Sequence, residues 1–519
     1  MSTRKIDDRA ARLGRRTTRR TLAVTATAAV VLAGMGAPAL AKGQGGENHG
    51  NPNTSKKITQ AVDLDNVWAH LEEFQRIADE NGDNRAAGTD GYEASAAYVE
   101  STLEAAGYET ERQYFTFEQF SVRQGDLTVE DPPLGAMDNI VMRYSPSGSF
   151  TGTLAAPSVA TGCDVGDWTG FPAGSIALVG RGACSFAQKT EHAATAGAGA
   201  AIIYNNAAGA LNGTLGDPGE DYVPVTGISQ ADGQGLLEAM SDGPVTVTVE
   251  IDTVLEEVET FNVLAETPQG RPDNVVMVGA HLDGVDDGPG INDNGSGSAA
   301  ILETAVQLAE VNKLNNQVRF AWWGAEEHGL LGSWHYVEDL YANDPDSLDD
   351  IATYLNFDMV GSPNYVIGVY DADESTYAAP VEVPDGSIET EDVFTDYFDS
   401  IGQPWVDTMF SGRSDYQPFI AAGIRSGLFT GADGTKTEEE VEMFGGTAGI
   451  TYDPNYHTPA DDLSNVNPEA LDIMSDAIAH ATLSLAQDTS EVNGKRSAGK
   501  SGKPHPGGPM PVEDAREAA

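Results

Sequence analysis

Apolar and polar positions along the chain change period several times, and each change marks an element. Between residues 62 and 117 apolar residues recur first at helical spacing (Val67, Leu71, Phe74, Ile77). Asn84, Arg85 and a glycine turn follow, then a second helical set (Tyr92, Tyr98, Leu103), and from Tyr108 to Phe117 the pattern alternates as in a strand. Residues 139–251 are rich in Val, Thr, Gly and Pro, with short strand-like runs at 175–180, 200–204 and 245–249. From Glu259 onward, apolar runs at 261–265, 274–280, 318–323 and 355–358 read as buried strands, and residues 298–311 read as a helix. Strands alternating with helices predict an α/β fold, a mixed, mostly parallel sheet with helices on both faces. The Val/Thr/Gly-rich stretch predicts a small β-rich domain inserted into a loop of the larger one.

The chemistry-bearing residues gather at the carboxyl ends of these strands, where open α/β sheets bind ligands. His281 and Asp283 close the run at 274–280, and a Gly/Pro/Asn loop brings Asp293 back just before the helix. Glu326 and Glu327 follow the strand at 318–323, Asp358 ends the run at 355–358, and His457 lies in a turn-rich loop. Adjacent carboxylates are costly to bury unless cations neutralise them. His281, Asp293, Glu327, Asp358 and His457 supply two imidazoles and three carboxylates. Five N/O donors without cysteine suit two metal ions sharing a carboxylate rather than one structural zinc. Zinc is the first choice, and manganese and cobalt can take the same donors.

Composition adds the compartment. Five arginines (Arg12, Arg15, Arg16, Arg19, Arg20) precede an Ala/Val/Leu stretch, and Ala39, Leu40 and Ala41 supply a small-residue cleavage site. Residues 1–41 therefore read as an export signal, twin-arginine or plain secretory, on a protein that is secreted. Those residues hold eight Lys/Arg and two Asp/Glu, so their removal takes the formal charge from −51 to −57. Nucleic acid and anionic membranes are poor partners for that charge, and no later run is long enough to span a bilayer. Cys163 and Cys184 read as a disulfide of about 3 kcal/mol in an oxidising compartment. Residues 42–57 read as a flexible leader and 490–519 as a disordered tail. The larger domain then covers 58–128 and 256–489, the insert 129–255, and a monomer is expected.

Two resemblances sharpen this. Residues 176–189 (Ile-Ala-Leu-Val-Gly-Arg-Gly-Ala-Cys-Ser-Phe-Ala-Gln-Lys) and the small-residue run 194–201 resemble the protease-associated (PA) domain, which has no chemistry of its own and serves as a lid or substrate-positioning module. The larger domain resembles peptidase family M28, the co-catalytic dizinc aminopeptidases, in particular its secreted leucine-type members. The blocks at 279–283, 290–295, 322–329, 356–362 and 412–415 carry that likeness. The resemblance implies a zinc-peptidase fold. His281, Asp293 and Asp358 would hold one zinc, and Glu327, His457 and the shared Asp293 the other. Asp283 would orient His281, Glu326 would act as general base, and Tyr456 would bind the oxyanion. Arg413 would lie near the substrate. The acid such relatives carry two residues before this arginine is Ser411 here, which leaves Asp407 as the nearby acid for the substrate amine. Asn455 and Ala460 stand where relatives have a disulfide. Asp472 and Asp476 match two of the acids that bind calcium in some members, with Ala61 at the third position and Asp63 close by.

The expected substrate is a peptide with a free N-terminus, cut behind a large apolar, leucine-like residue. A carboxypeptidase or dipeptidase on the same metals would need basic residues for a substrate carboxylate, and the chain is poor in Lys and Arg. A non-catalytic binding protein would lack a ligand or the base, and a mono-zinc cyclase would lack the second metal's donors.

Overall fold

The computed structural model describes residues 53–494 except 217, 220, 380, 381, 425–427 and 433. The expected export signal, most of the leader and residues 495–519 lie outside them. The described ends are more ordered than the expected leader and tail. A helix at Ser55–Thr59 buries Ile58, and another at Ser490–Asn493 buries Val492. Each carries one apolar residue that the surrounding polar composition masks.

The strands are β1 (Thr110–Asp131), β2 (Gly135–Ala136), β3 (Ile140–Val141), β4 (Gly148–Ala155), β5 (Ile176–Gly180), β6 (Ala200–Tyr204) and β7 (Val225–Ile228). They continue with β8 (Thr246–Glu266), β9 (Arg271–His281), β10 (Asn316–Trp323), β11 (Ile351–Asp358), β12 (Gly368–Tyr370), β13 (Val406–Thr408) and β14 (Leu428–Phe429). One sheet runs β13-β12-β14-β11-β9-β10-β8-β4-β5-β6-β7-β3, with β1 beside β8. Strand β9 pairs in parallel with both β10 and β11, so their carboxyl ends share one edge.

These central strands are buried on both faces, which is why they read as continuous apolar runs. Val276, Val278 and Ala280 of β9 face one core with Phe320 and Trp322 of β10 and Leu355 and Phe357 of β11. The alternate residues Met277, Ala321, Trp323 and Tyr354 face a second core with Tyr336 and Phe419. The helices Leu64–Glu80, Asp90–Ala106, Gly297–Leu308 and Pro468–Gln487 supply the first core, and Leu331–Asn343 and Tyr416–Ala421 the second. Caps set the ends of the helix Asp90–Ala106. The Thr89 hydroxyl accepts from the Tyr92 N–H, and Gly107 turns the chain at φ 99°.

The largest difference from expectation is β8. The separate runs at 245–249 and 261–265 belong to one 21-residue strand, paired antiparallel with the 22-residue β1 from Thr110↔Ala265 to Asp131↔Thr246. Its middle is acidic and exposed (Glu256, Glu257, Glu259). Only Val258 of that stretch packs inward, against Phe117 and Ala325, so little apolar alternation marks it. The boundaries expected at 128/129 and 255/256 fall inside these strands, and the insert extends from the far end of the ribbon. There β4, β5, β6 and β7 form a small sheet, with β5 and β6 parallel and the helices Phe186–Thr195 and Gln230–Asp242 packed about it. Cys163 and Cys184 are joined by a disulfide within it.

Candidate metal centre

The three central strands end together. His281 closes β9 and pairs with Trp323, the last residue of β10, so Glu326 and Glu327 leave the sheet beside it. Asp358 closes β11 on the other side. Asp293 returns through residues 282–290, a loop held from below by Arg85. That side chain is fully buried, and it donates from Nε to Pro289 O (2.9 Å), from Nη1 to Leu282 O (2.6 Å) and from Nη2 to Gly290 O. Burial lowers the Arg85 pKa to about 10, and the nearby Asp461 and Asp283 oppose the fall, so it stays charged at neutral pH. The Asp293–Asn294 peptide bond is cis. His457 comes from the loop after the helix Glu438–Phe444, which carboxylates and amides staple. Asp461 accepts from the Asn292 and Asp293 N–H groups (2.9 and 3.0 Å), and Asn465 links Asp461 to Asp453. Where relatives would have a disulfide, Asn455 instead donates to Asn465 (2.8 Å).

Three residues at the centre sit at positive φ without being glycine: Ala325 (58°), just before the glutamate pair, Met359 (47°), just after Asp358, and His457 itself (56°). Such backbone costs of order 1–3 kcal/mol per residue and persists where surrounding contacts hold it.

The donor atoms converge. Asp293 Oδ1 lies 3.3 Å from His281 Nε2, and its Oδ2 lies 3.2 Å from His457 Nε2. Asp358 Oδ1 is 3.4 Å from His281 Nε2, and Glu327 Oε2 is 2.9 Å from His457 Nε2. One carboxylate thus faces both imidazoles, and each imidazole has one further carboxylate of its own. Glu326 completes a group with His281 and Asp358 whose donor atoms all lie within 4.8 Å of one another. Two donors about 2.1 Å from a tetrahedral zinc stand roughly 3.4 Å apart, and three of the four spacings come close to that. Asp358 Oδ1 and Glu327 Oε1 are buried and accept no hydrogen bond. The first faces His281 Nε2 and the second belongs to the carboxylate whose other oxygen faces His457, and this donor set fits two divalent ions.

The electrostatics agree. Burial lowers the basicity of His281 and His457, but the surrounding carboxylates more than reverse it, raising His281 well above its ordinary value and His457 to about 10. The cluster draws positive charge to those two points. Glu326 is raised well above the carboxylate range, by burial first and by Asp415, Glu327 and Asp358 as well. Tyr456 is raised by burial and by Asp293, Glu327 and Glu326, so its phenol keeps its proton.

Asp283 meets His281 chiefly through its backbone. His281 Nδ1 lies 3.0 Å from the backbone carbonyl of Asp283, with the carboxylate 3.8 Å away. The carboxylate instead accepts from the Glu326 and Glu327 N–H groups at 3.2 and 3.3 Å, tying the end of β10 to that of β9. A cavity of about 340 Å³ opens over the centre, lined by His281, Asp293, Glu326 and Asp358 at one end and by Met359, Val366, Tyr370, Val406 and Met409 along its wall. Tyr456 lines it and stacks on His457 at 3.8 Å. Arg413 is exposed on the wall, near enough to Tyr456 to oppose its pKa rise. Asp415, two residues on, is fully buried and accepts from Ser333 (2.5 Å). Asp407 lines the cavity from β13, three strand positions from β11 and so about 14 Å across the sheet. Asp472 and Asp476 lie apart on the helix Pro468–Gln487, and among the described residues they belong to no group of three closely spaced metal donors.

Arg85, Asp461, Asn356 and Ser414 escaped the sequence reading. The only signal was that Arg85, Asn356 and Ser414 lie in or beside conspicuous blocks, and nothing in the chain says what they touch.

Comparison with known proteins fits this geometry. The model of Peptidase family M28 matches residues 262–482, and that of the PA domain matches 150–236. An aminopeptidase of Pseudomonas aeruginosa is 43% identical over 466 residues, covering 86% of this chain and 85% of its own. Leucine aminopeptidase 2 of Trichophyton rubrum is 40% identical over 462 residues (88% and 92%). Among solved structures, the aminopeptidase from Aneurinibacillus sp. strain AM-1 superposes with a TM-score of 0.66 at 28% identity, covering 82% of this chain and 95% of that one. The zinc aminopeptidase BSAP of Bacillus subtilis gives 0.61 at 25% (84% and 96%).

Proposed function

The chain belongs to peptidase family M28, and on that premise we propose that it is a secreted zinc-dependent aminopeptidase with a two-ion centre. The observation that carries this reading is the Asp293 carboxylate set between two imidazoles, each with a second carboxylate of its own. His281, Asp293 and Asp358 would hold one zinc, and His457, Glu327 and Asp293 the other. Bound there, the ions supply Lewis acidity and lower the pKa of a water molecule.

The chain's own residues do the rest. Glu326, in the cavity beside His281 and Asp358, takes the proton of the attacking water and returns it to the leaving amine. Its buried setting, which favours the protonated carboxyl, suits that second step. Tyr456 donates its phenolic proton as a hydrogen bond to the oxyanion. Arg413 and Asp407 contact substrate from the cavity wall. The wall of Met359, Val366, Val406 and Met409 supports a large apolar, leucine-like N-terminal residue. Among the described residues no helix is long and apolar enough to cross a membrane; export rests on the arginine-led signal at 1–41. The calcium part of the reading rests on Asp472, Asp476 and nearby Asp63.

The test is hydrolysis of leucine p-nitroanilide against its N-acetylated form, with and without chelator. Cleavage of the free-amine substrate alone, lost with chelator and restored by zinc, is the expected result. A protein that binds two zinc ions yet cleaves neither would move the reading to a carboxypeptidase or a binding role.

A further inference from the structure

Behind Asp358 lies a line of buried polar side chains that the reaction does not use. Trp323 Nε1 is 2.8 Å from Tyr354 Oη, and Tyr354 Oη is 2.8 Å from Asn356 Oδ1. Asn356 Nδ2 is 2.7 Å from Ser414 Oγ, and Ser414 Oγ is 2.5 Å from Asp358 Oδ2. All five residues are buried. Tyr370, on the cavity wall, also hydrogen-bonds to Asn356.

The direction of this line follows from its two ends. An indole N–H can only donate, and an ionised carboxylate can only accept. Tyr354 therefore accepts from Trp323 and passes its own proton to Asn356. The atom receiving it must be the amide oxygen, so the NH₂ of Asn356 turns to Ser414, whose single hydroxyl proton goes to Asp358 Oδ2. Each hydroxyl and the amide has one orientation that satisfies both neighbours. In a buried setting, an unsatisfied alternative would cost the full desolvation of a polar group. The other oxygen of Asp358, Oδ1, receives no hydrogen bond and faces His281 Nε2 at 3.4 Å.

We propose that Trp323, Tyr354, Asn356 and Ser414 form a one-way hydrogen-bond relay that occupies Oδ2 of Asp358 and so presents Oδ1 alone to the ion shared with His281 and Asp293. The inference rests on the two-zinc reading above. Ser414 and Tyr354 are positioning residues that act through Asp358, and they set the affinity of one of the two ions while leaving the other to His457 and Glu327. Tyr354 acts at a distance, because without its proton the Asn356 amide oxygen loses its donor and only Ser414 and Tyr370 are left to hold the amide's orientation.

The test measures zinc rather than turnover. Stoichiometry and affinity are read by titration of the metal-free full-length protein against a competing chelator, for wild type, Ser414→Ala and Tyr354→Phe. Metal-free melting temperature is recorded for each to separate loss of folding from loss of affinity. Two zinc ions in wild type are expected, with the affinity of one reduced about 10–100-fold in Ser414→Ala. A smaller loss at the same ion is expected in Tyr354→Phe, which keeps the ring and removes only the hydroxyl. Unchanged affinity for both ions in Tyr354→Phe, or an equal loss at both ions in the two variants, overturns the relay. Failure of the wild type to bind two zinc ions would instead overturn the reading on which the relay rests.

Discussion

Glu326 is the proposed general base and is not itself a proposed metal ligand. It stands in the cavity between the metal donors and the buried Asp415. Glu326→Ala should cut kcat by about 10²–10⁴ while two zinc ions remain bound, measured by steady-state kinetics beside metal analysis. Full activity in that variant would exclude Glu326 as the base. The candidate donors that converge here were legible in the chain because each stands at the end of an apolar run or in a turn-rich loop. Their assignment to oxygens was not. That Asp293 offers one oxygen to each imidazole, or that Asp283 binds the glutamate pair through its carboxylate and His281 through its carbonyl, depends on distances a sequence does not contain.

Elements carry those residues into place, and some do so from far away in the chain. The helix Leu64–Glu80 and the turn after it contribute nothing to the chemistry, yet Arg85 pins the loop that presents Asp293, some two hundred residues later. The helix Pro468–Gln487 carries Asp472 and Asp476. Burial and the neighbouring Asp472 push Asp476 up to about 7 from an ordinary 3.8. A carboxyl raised in the fold binds its proton more tightly there than in the unfolded chain. Its ionisation therefore costs stability as pH rises from about 3.8 through 7. At pH 8 without calcium, Asp476→Asn should raise the melting temperature. If the pair binds calcium, adding it should stabilise the wild type and leave the variant unmoved. No response to calcium in the wild type would remove that ion from the reading.

Over the whole molecule, stability has a further pH lever outside the centre. His480 is held neutral by burial, its pKa lowered from 6.5 to about 4, with Ser55 at 2.5 Å and Tyr397 stacked on its ring. Below pH 6.5 the unfolded chain takes up a proton that the fold refuses until about pH 4, so His480 lowers stability progressively across that window. His480→Gln should show a shallower fall in melting temperature between pH 6.5 and 4 than the wild type; parallel curves would refute the assignment. On the same scale the division between local and distant information becomes plain. The α/β alternation, the presence of an inserted domain and the set of candidate metal donors could be read from the chain alone. Strands buried on both faces read as apolar runs, and in a chain whose two cysteines are paired, imidazole and carboxylate are the donors left for a divalent ion. That β1 and β8 form one long ribbon emerges only on folding, because its exposed middle leaves little periodic trace. Only the tertiary structure brought Arg85, Asp461 and Ser414 behind the donors. Their partners are backbone carbonyls, amides and single carboxylate oxygens, groups that nearly every residue offers, so their roles exist only once the chain has closed around them.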